Sequence, residues 1–259
     1  MPGDVETRYT IRPCRDIGEL GACVRLQKQI WGYADAEAYP LRLFVNLTHI
    51  GGQVIGAFSS SGRPSGRQAG KLVGFVAAMP AWRDGKRYLH SLSLAVARGY
   101  QNRGLGRKLK LEQRKLALEA GINSIEWTFD PLQARNAFFN IVRLGAITRR
   151  YQPDYYGRVR SRLQQGLPSD RLVCEWQLRS ARVRAAVAPD RSAHLTAPKT
   201  TAPATIIIPA DFSALARQDH ERARKLQASV RRGFEAYFRQ GLVVSGFERG
   251  ANVARYLLG

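Results

Sequence analysis

The run from Gly99 to Leu109, GYQNRGLGRKL, sets Gly104 and Gly106 one residue apart among Arg103, Arg107 and Lys108. Bare glycines let a ligand approach the main chain, and a helix that starts beside them offers unpaired N–H groups and partial positive charge. The chemistry such a turn suits is the grip of an anion, above all a diphosphate. A P-loop is a poor match, because Arg107 and Lys108 follow Gly106 where lysine and a magnesium-binding hydroxyl are needed. A dinucleotide fingerprint is equally poor, since Leu109 stands where its third glycine belongs. Upstream lies His90, an imidazole whose ordinary pKa of about 6.5 suits proton transfer near neutrality.

These residues need a strand before the turn and a helix after it. YLHSLSLAVA, Tyr88 to Ala97, reads as the strand, and Leu105, Leu109, Leu116 and Ala120 mark one face of a helix ending at Gly121. Upstream, RYTIRPC alternates as a strand. Asp16 and Glu19 form a capping box for a helix whose Ile17, Leu20, Val24 and Trp31 recur at helical spacing up to Gly32. Pro40 to Ile50 reads as a second helix. QVIGAFSS and KLVGFVAAMPAW read as a hairpin across a glycine-rich and serine-rich loop, Ser61 to Gly70, expected to be mobile. Downstream, INSIEWTF is a strand with Ile125, Trp127 and Phe129 on one side. Asp130, Pro131 and Gln133 then open a helix running to Gly145. AITRRYQPDYYG and RLVCEWQL supply further strands.

Strands alternating with helices argue for an α/β or α+β fold. The residues divide into a main domain, 1–180, a linker, 181–203, rich in Ala, Arg, Pro and Thr, and a C-terminal extension, 204–259. In the extension Asp211 caps a helix striped by Phe212, Leu215, Leu226, Val230 and Phe234, and GLVVSGFERGANVARYLLG follows as a hairpin. Too small for a core of its own, this extension is expected to pack on the main domain or on a second subunit.

Gln101-Asn102-Arg103-Gly104-Leu105-Gly106 resembles the Q/R-x-x-G-x-G/A motif of the GNAT superfamily of N-acyltransferases, and the order strand, turn, helix, strand, helix, Gly145 resembles that family's order. The resemblance covers roughly Arg8 to Leu178. WTFDPLQARNAFFNIVRLGA with the DYYG after it is similar to a predicted-acetyltransferase branch that has amino-acid N-succinyltransferases among its relatives. The resemblance implies a mixed, mostly antiparallel central sheet flanked by helices, an acyl-CoA co-substrate (acetyl-CoA or succinyl-CoA), no metal, and direct transfer to a small amine such as an amino acid.

It also implies roles. Gln101, Asn102, Arg103, Gly104, Leu105, Gly106 and Arg107 would hold the diphosphate of coenzyme A, chiefly through main-chain N–H groups. Free main-chain groups of Leu94, Ala95 and Val96 would pair with pantetheine and the thioester oxygen, an oxyanion hole worth about 2.7 to 4 kcal/mol per donor. His90 would be the general base. The family's acid is a tyrosine in N-x-x-A-x-x-x-Y-x-x-x-G, but Ile141 and Ala134 occupy its tyrosine and asparagine positions while Ala137 and Gly145 match. Tyr155 and Tyr156, just beyond the next turn, are the substitutes, set against a role as packing aromatics. Asn136 or Asn140 would touch the cofactor. Asp130 is explained by capping, and Glu126, opposite Trp127, faces either substrate or solvent.

With 259 residues and 44% apolar composition the chain can bury a sizeable core. No apolar run reaches the roughly 20 residues that cross a bilayer, and MPGDVETRYT is unlike a secretory signal, so the expected compartment is the cytoplasm. Cys14, Cys23 and Cys174 are read as reduced core thiols, and the four histidines are too scattered for a metal site. A net charge of +21 favours phosphates and acidic molecules generally. Eight arginines against three acids between Arg158 and Arg191 motivate a second reading, a non-catalytic module binding nucleic acid or an acidic partner. No stacking-aromatic motif of a known nucleic-acid module accompanies them, so nucleic acid is not expected as a partner, while a homodimer is admissible.

Overall fold

The computed structural model describes residues 9–59, 70–157, 166–188 and 202–259. The expected mobile loop lies, but for Gly70, outside the described residues, as do parts of the arginine-rich stretch. The chain forms two compact units, Met1–Asn123 and Ser124–Gly259.

In the first unit β1 (Tyr9–Pro13), β2 (Gln53–Ser59), β3 (Leu72–Arg83) and β4 (Lys86–Val96) pair antiparallel in chain order. Asp84 and Gly85, at φ of 49° and 72°, make the two-residue hairpin between β3 and β4, because a turn with both central residues left-handed matches strand twist. Three helices flank these strands: α1 (Ile17–Trp31), α2 (Leu41–His49) and α3 (Leu105–Glu119). On one face Leu20, Cys23 and Leu26 of α1 and Phe44 and Leu47 of α2 pack with Val54, Phe75, Ala77 and Ala95. On the other, Leu105 and Leu109 of α3 pack with Ile55, Ala57, Val73 and Val76. Each leucine fully buried this way stabilises the fold by about 1.5–3 kcal/mol.

The cap of α1 forms as expected at one end and differs at the other. Asp16 Oδ1 accepts from the Glu19 N–H at 2.9 Å. Glu19 does not reach back to Asp16; its carboxylate accepts from the Arg15 N–H at 2.7 Å and from both terminal nitrogens of Arg12 at 2.7 and 2.8 Å. Those bonds hold the Glu19 carboxyl below the usual range. Ile17, expected on the apolar stripe, is 65% exposed, since Leu20, Cys23, Leu26 and Gln27 turn inward instead.

The second unit pairs six strands antiparallel, β5 (Ser124–Phe129), β6 (Ile147–Gln152), β7 (Arg171–Gln177), β8 (Ala204–Pro209), β9 (Val244–Arg249) and β10 (Val253–Leu258), in the order β5-β7-β6-β9-β10-β8. Trp127 and Trp176 meet edge to face with centroids 5.9 Å apart.

The helix expected from Asp130 starts later, as α4 (Ala134–Ala137), and continues as a π-helix over Phe138–Arg143. Asp130 caps a turn instead, Oδ1 accepting from the Leu132 N–H at 2.8 Å, and burial pushes its carboxyl up. The supposed linker opens with α5 (Ala181–Val187), capped by Ser180 and burying Val183 and Ala186. Gly145, at φ 75°, lies under α5, where a Cβ would come within 2.8 Å of Ala186, so glycine is required on two counts. The single helix expected after Asp211 is two, α6 (Phe212–Gln218) and α7 (His220–Arg239), because Asp219 breaks the first and caps the second. Strand β8 was not foreseen, since its exposed Ile207 hides the alternation.

The C-terminal segment builds the far side of this unit. Arg231 of α7 forks onto Asp170, which also accepts from the Tyr151 hydroxyl at 2.6 Å. Tyr256 donates to the Pro131 carbonyl at 2.6 Å, and Gln227 to that of Pro168 at 2.8 Å. Among the described residues no helix is long and apolar enough to cross a membrane.

Candidate functional site

Between Ala77 and Ala78 the β3–β4 register shifts: Ala77 pairs with Ser93 and Ala78 with Ser91, leaving Leu92 as the extra residue of a β-bulge. Because side chains alternate, one extra residue exchanges the faces. Val96 and Leu94, opposite Gly74 and Val76, face α3. Simple parity would send His90 there too. Past the bulge, however, His90 pairs with Met79, and with Ser93 and Ala95 it takes the face on which α1 and α2 pack. Its side chain is half-buried there. Ser91 turns to α3, where the buried Lys110 donates to Ser91 Oγ at 3.0 Å and to Gln113 Oε1 at 2.8 Å. Two polar residues on the inner face of α3, Lys110 and Gln113, are the only local sign of this group in the sequence.

The glycine turn follows a short 3-10 turn, Arg98–Tyr100. Gln101 ties it to the strand, its side-chain amide donating to the Val96 carbonyl at 2.9 Å. Asn102 (φ 63°) and Gly104 (φ 77°) are both left-handed, conformations that asparagine tolerates and glycine adopts freely. Gly104 is the residue preceding α3 and has no side chain with which to cap it, and the first turn carries no acid. Leu105 is buried as an anchor, while Arg103, Gly104 and Lys108 are exposed and Gly106 and Arg107 partly so. A Cβ on Gly106 would meet nothing nearer than Leu94 Cδ2 at 3.7 Å. Basic residues around a helix N-terminus oppose the macrodipole, which favours negative charge there. An anion seated on the first-turn N–H groups would offset both.

One expected donor is reassigned. The Ala97 N–H bonds the Val73 carbonyl at 2.9 Å. In an antiparallel ladder bonded pairs alternate, so Ala95 exchanges its hydrogen bonds with Phe75, whereas the N–H and C=O groups of Leu94 and Val96 point away from β3. The Val96 carbonyl taken by Gln101 agrees with that direction. Ala95 therefore spends its N–H on β3, and of the three residues Leu94 and Val96 are the ones whose N–H groups turn away from it.

The remaining candidates belong to the second unit. Tyr155 and Tyr156 are 43% and 48% exposed, with rings edge to face at 4.7 Å, so neither is a core aromatic. The Tyr156 hydroxyl lies 3.1 Å from Thr128 Oγ1, and Arg171 sits over its ring. Asn136 is exposed on α4, while Asn140 is buried, accepting from Trp127 Nε1 at 3.3 Å. Ile141, at the family's tyrosine position, is buried. Glu126 is buried rather than turned to solvent; it lies opposite Glu175 across β5 and β7, and Arg150 bonds it at 2.8 Å.

Comparison with known proteins gives the arrangement its context. Residues 57–143 match the family described as Acetyltransferase (GNAT) family. A search of the curated proteins finds no match. A Salmonella typhimurium acetyltransferase solved with its cofactor acetyl-CoA is similar in structure, with TM-score 0.52 and 18% identity over 71% of this chain and 99% of that one. An acetyltransferase of Acinetobacter baylyi gives 0.52 and 16% over 68% and 94%. A chain of the NatC complex bound to Gag peptide and CoA gives 0.51 and 14% over 65% and 98%. The mostly antiparallel open sheet flanked by helices is thus the fold of these acetyltransferases.

Proposed function

We propose that the protein is an acyl-CoA-dependent N-acyltransferase that moves an acetyl or succinyl group to a small amine such as an amino acid, by direct transfer in a ternary complex. The observation that carries this reading is the start of α3: a left-handed Gly104, no side-chain cap, no acid in the first turn, and Arg103, Arg107 and Lys108 around it. That combination suits a diphosphate and is otherwise unfavourable to the helix. The acetyl-CoA and CoA bound by two of the similar proteins support the same choice of ligand.

The thioester supplies an activated acyl carbon. Leu94 and Val96, whose N–H groups turn away from β3, are the donors for its oxygen and for pantetheine. His90 takes the ammonium proton of the acceptor, directly or through water, leaving a neutral nitrogen to attack. Tyr155 or Tyr156 returns a proton to the departing thiolate, and Asn136 is a further cofactor contact. The basic surface draws in both the anionic donor and a carboxylate-bearing acceptor.

The test is calorimetry with acetyl-CoA and succinyl-CoA, followed by release of free thiol against a panel of amines and amino acids. Micromolar binding of one ester and acceptor-dependent thiol release are expected. Absence of binding by both esters refutes the reading.

A further inference from the structure

Two of the three thiols, set apart in sequence, touch in the fold. Cys14 follows β1 and is partly exposed, and Cys23 is buried on the inner face of α1, with the sulfur atoms 3.9 Å apart. The main chain holds them there from both sides. The Cys14 N–H bonds the Val54 carbonyl at 2.9 Å, and the caps of Asp16 and Glu19 fix the start of α1 against β1 through Arg12. Cys23 packs among Leu20, Leu26, Phe44 and Phe75.

We infer that Cys14 and Cys23 form a peroxide-reactive thiol pair that closes to an intrachain disulfide. The assignment goes beyond the acyl-transfer reading and does not depend on it. Accessibility sets the order of events: Cys14 meets the oxidant first, whereas the contact with the Cys14 sulfur, together with burial, holds the Cys23 thiol well above its ordinary pKa. The Cys14 thiol gives up its proton, the thiolate attacks one peroxide oxygen, the O–O bond breaks, and the departing hydroxide takes a proton, so that sulfenic acid and one water form. The Cys23 sulfur then attacks the sulfenic sulfur, the S–O bond breaks, the Cys23 proton leaves with the hydroxyl as a second water, and the S–S bond forms. One peroxide is reduced for two thiols oxidised. Closure brings the sulfurs from 3.9 Å to about 2.05 Å, a shift of about 1.8 Å between the two side chains. Cys174, on β7 opposite Trp127, lies in the other unit and is the internal control.

The experiment treats the full chain with a small excess of hydrogen peroxide, removes the oxidant with catalase, denatures, counts thiols and maps the cross-linked peptide by mass spectrometry. The expected result is loss of two of the three thiols, a Cys14–Cys23 peptide lighter by two hydrogen atoms, and full recovery with dithiothreitol. In Cys23→Ser, Cys14 should halt at a sulfenic acid that dimedone traps, and in Cys14→Ser both remaining thiols should survive. Survival of all three thiols in the wild type, a disulfide joining two chains, or a cross-link through Cys174 overturns the inference.

Discussion

Gly106→Glu separates the stability of α3 from its ligand, because the two should move in opposite directions. Glycine in a helix costs about 0.5–1 kcal/mol relative to alanine, and glutamate is nearly as good a helix former as alanine. A carboxylate in the first turn, where none now stands, adds about 0.3–1 kcal/mol. The new Cβ has room, its nearest neighbours being Leu94 Cδ2 at 3.7 Å and Val96 Cγ2 at 3.9 Å. The fold should therefore gain about 1–2 kcal/mol and melt about 2–8 °C higher. A diphosphate on the same N–H groups would lose charge-assisted hydrogen bonds worth about 1.5–3 kcal/mol and meet a like charge besides. Acetyl-CoA affinity should fall at least about 100-fold by calorimetry. Gly106→Ala, lacking the charge, should keep only the helix-propensity part of the gain, about 0.5–1 kcal/mol, and bind normally. A stabilised Gly106→Glu protein that still binds acetyl-CoA as tightly as wild type would refute the anion-site reasoning, and a drop in melting temperature would refute the packing argument.

His90→Gln should lower kcat about 100-fold to 10,000-fold and remove the acid limb of the pH–rate profile while acetyl-CoA affinity stays unchanged; an unaltered limb removes it as the base. Glu19→Gln tests the Arg12 contact through pH. Because the folded Glu19 carboxyl titrates below its unfolded value of about 4.3, its stabilisation is complete above that pH and is lost as pH falls through the folded value. In urea unfolding the wild type should exceed the variant near neutrality and converge with it in acid, and a pH-independent difference contradicts the assignment. Arg231→Met strands the buried Asp170 carboxylate and should cost about 3 kcal/mol in urea unfolding; a loss under about 0.5 kcal/mol would mean the clamp on α7 is idle.

The sequence by itself determined the pieces whose causes are local. The Asp16 cap, the glycine after Trp31, the apolar runs of β2 to β5 and the Gly104–Gly106 turn depend on neighbours within a few residues, so type and spacing sufficed. The resemblance to the GNAT motif was legible for the same reason, since it rests on one continuous strand end, turn and helix start. Only the tertiary structure decided which way those pieces face. The Leu92 bulge that carries His90 to the side of α1 and α2, and the ladder phase that commits Ala95 but turns out Leu94 and Val96, are properties of pairing with β3, and a single strand has no record of its partner's register. The Arg150 bridge over Glu126 and the docking of α7 on Asp170 likewise join residues far apart in the chain, and the Cys14–Cys23 contact depends on how α1 folds back on β1. Local propensity is written residue by residue, but a side chain's direction and its partner follow from how distant segments close on one another.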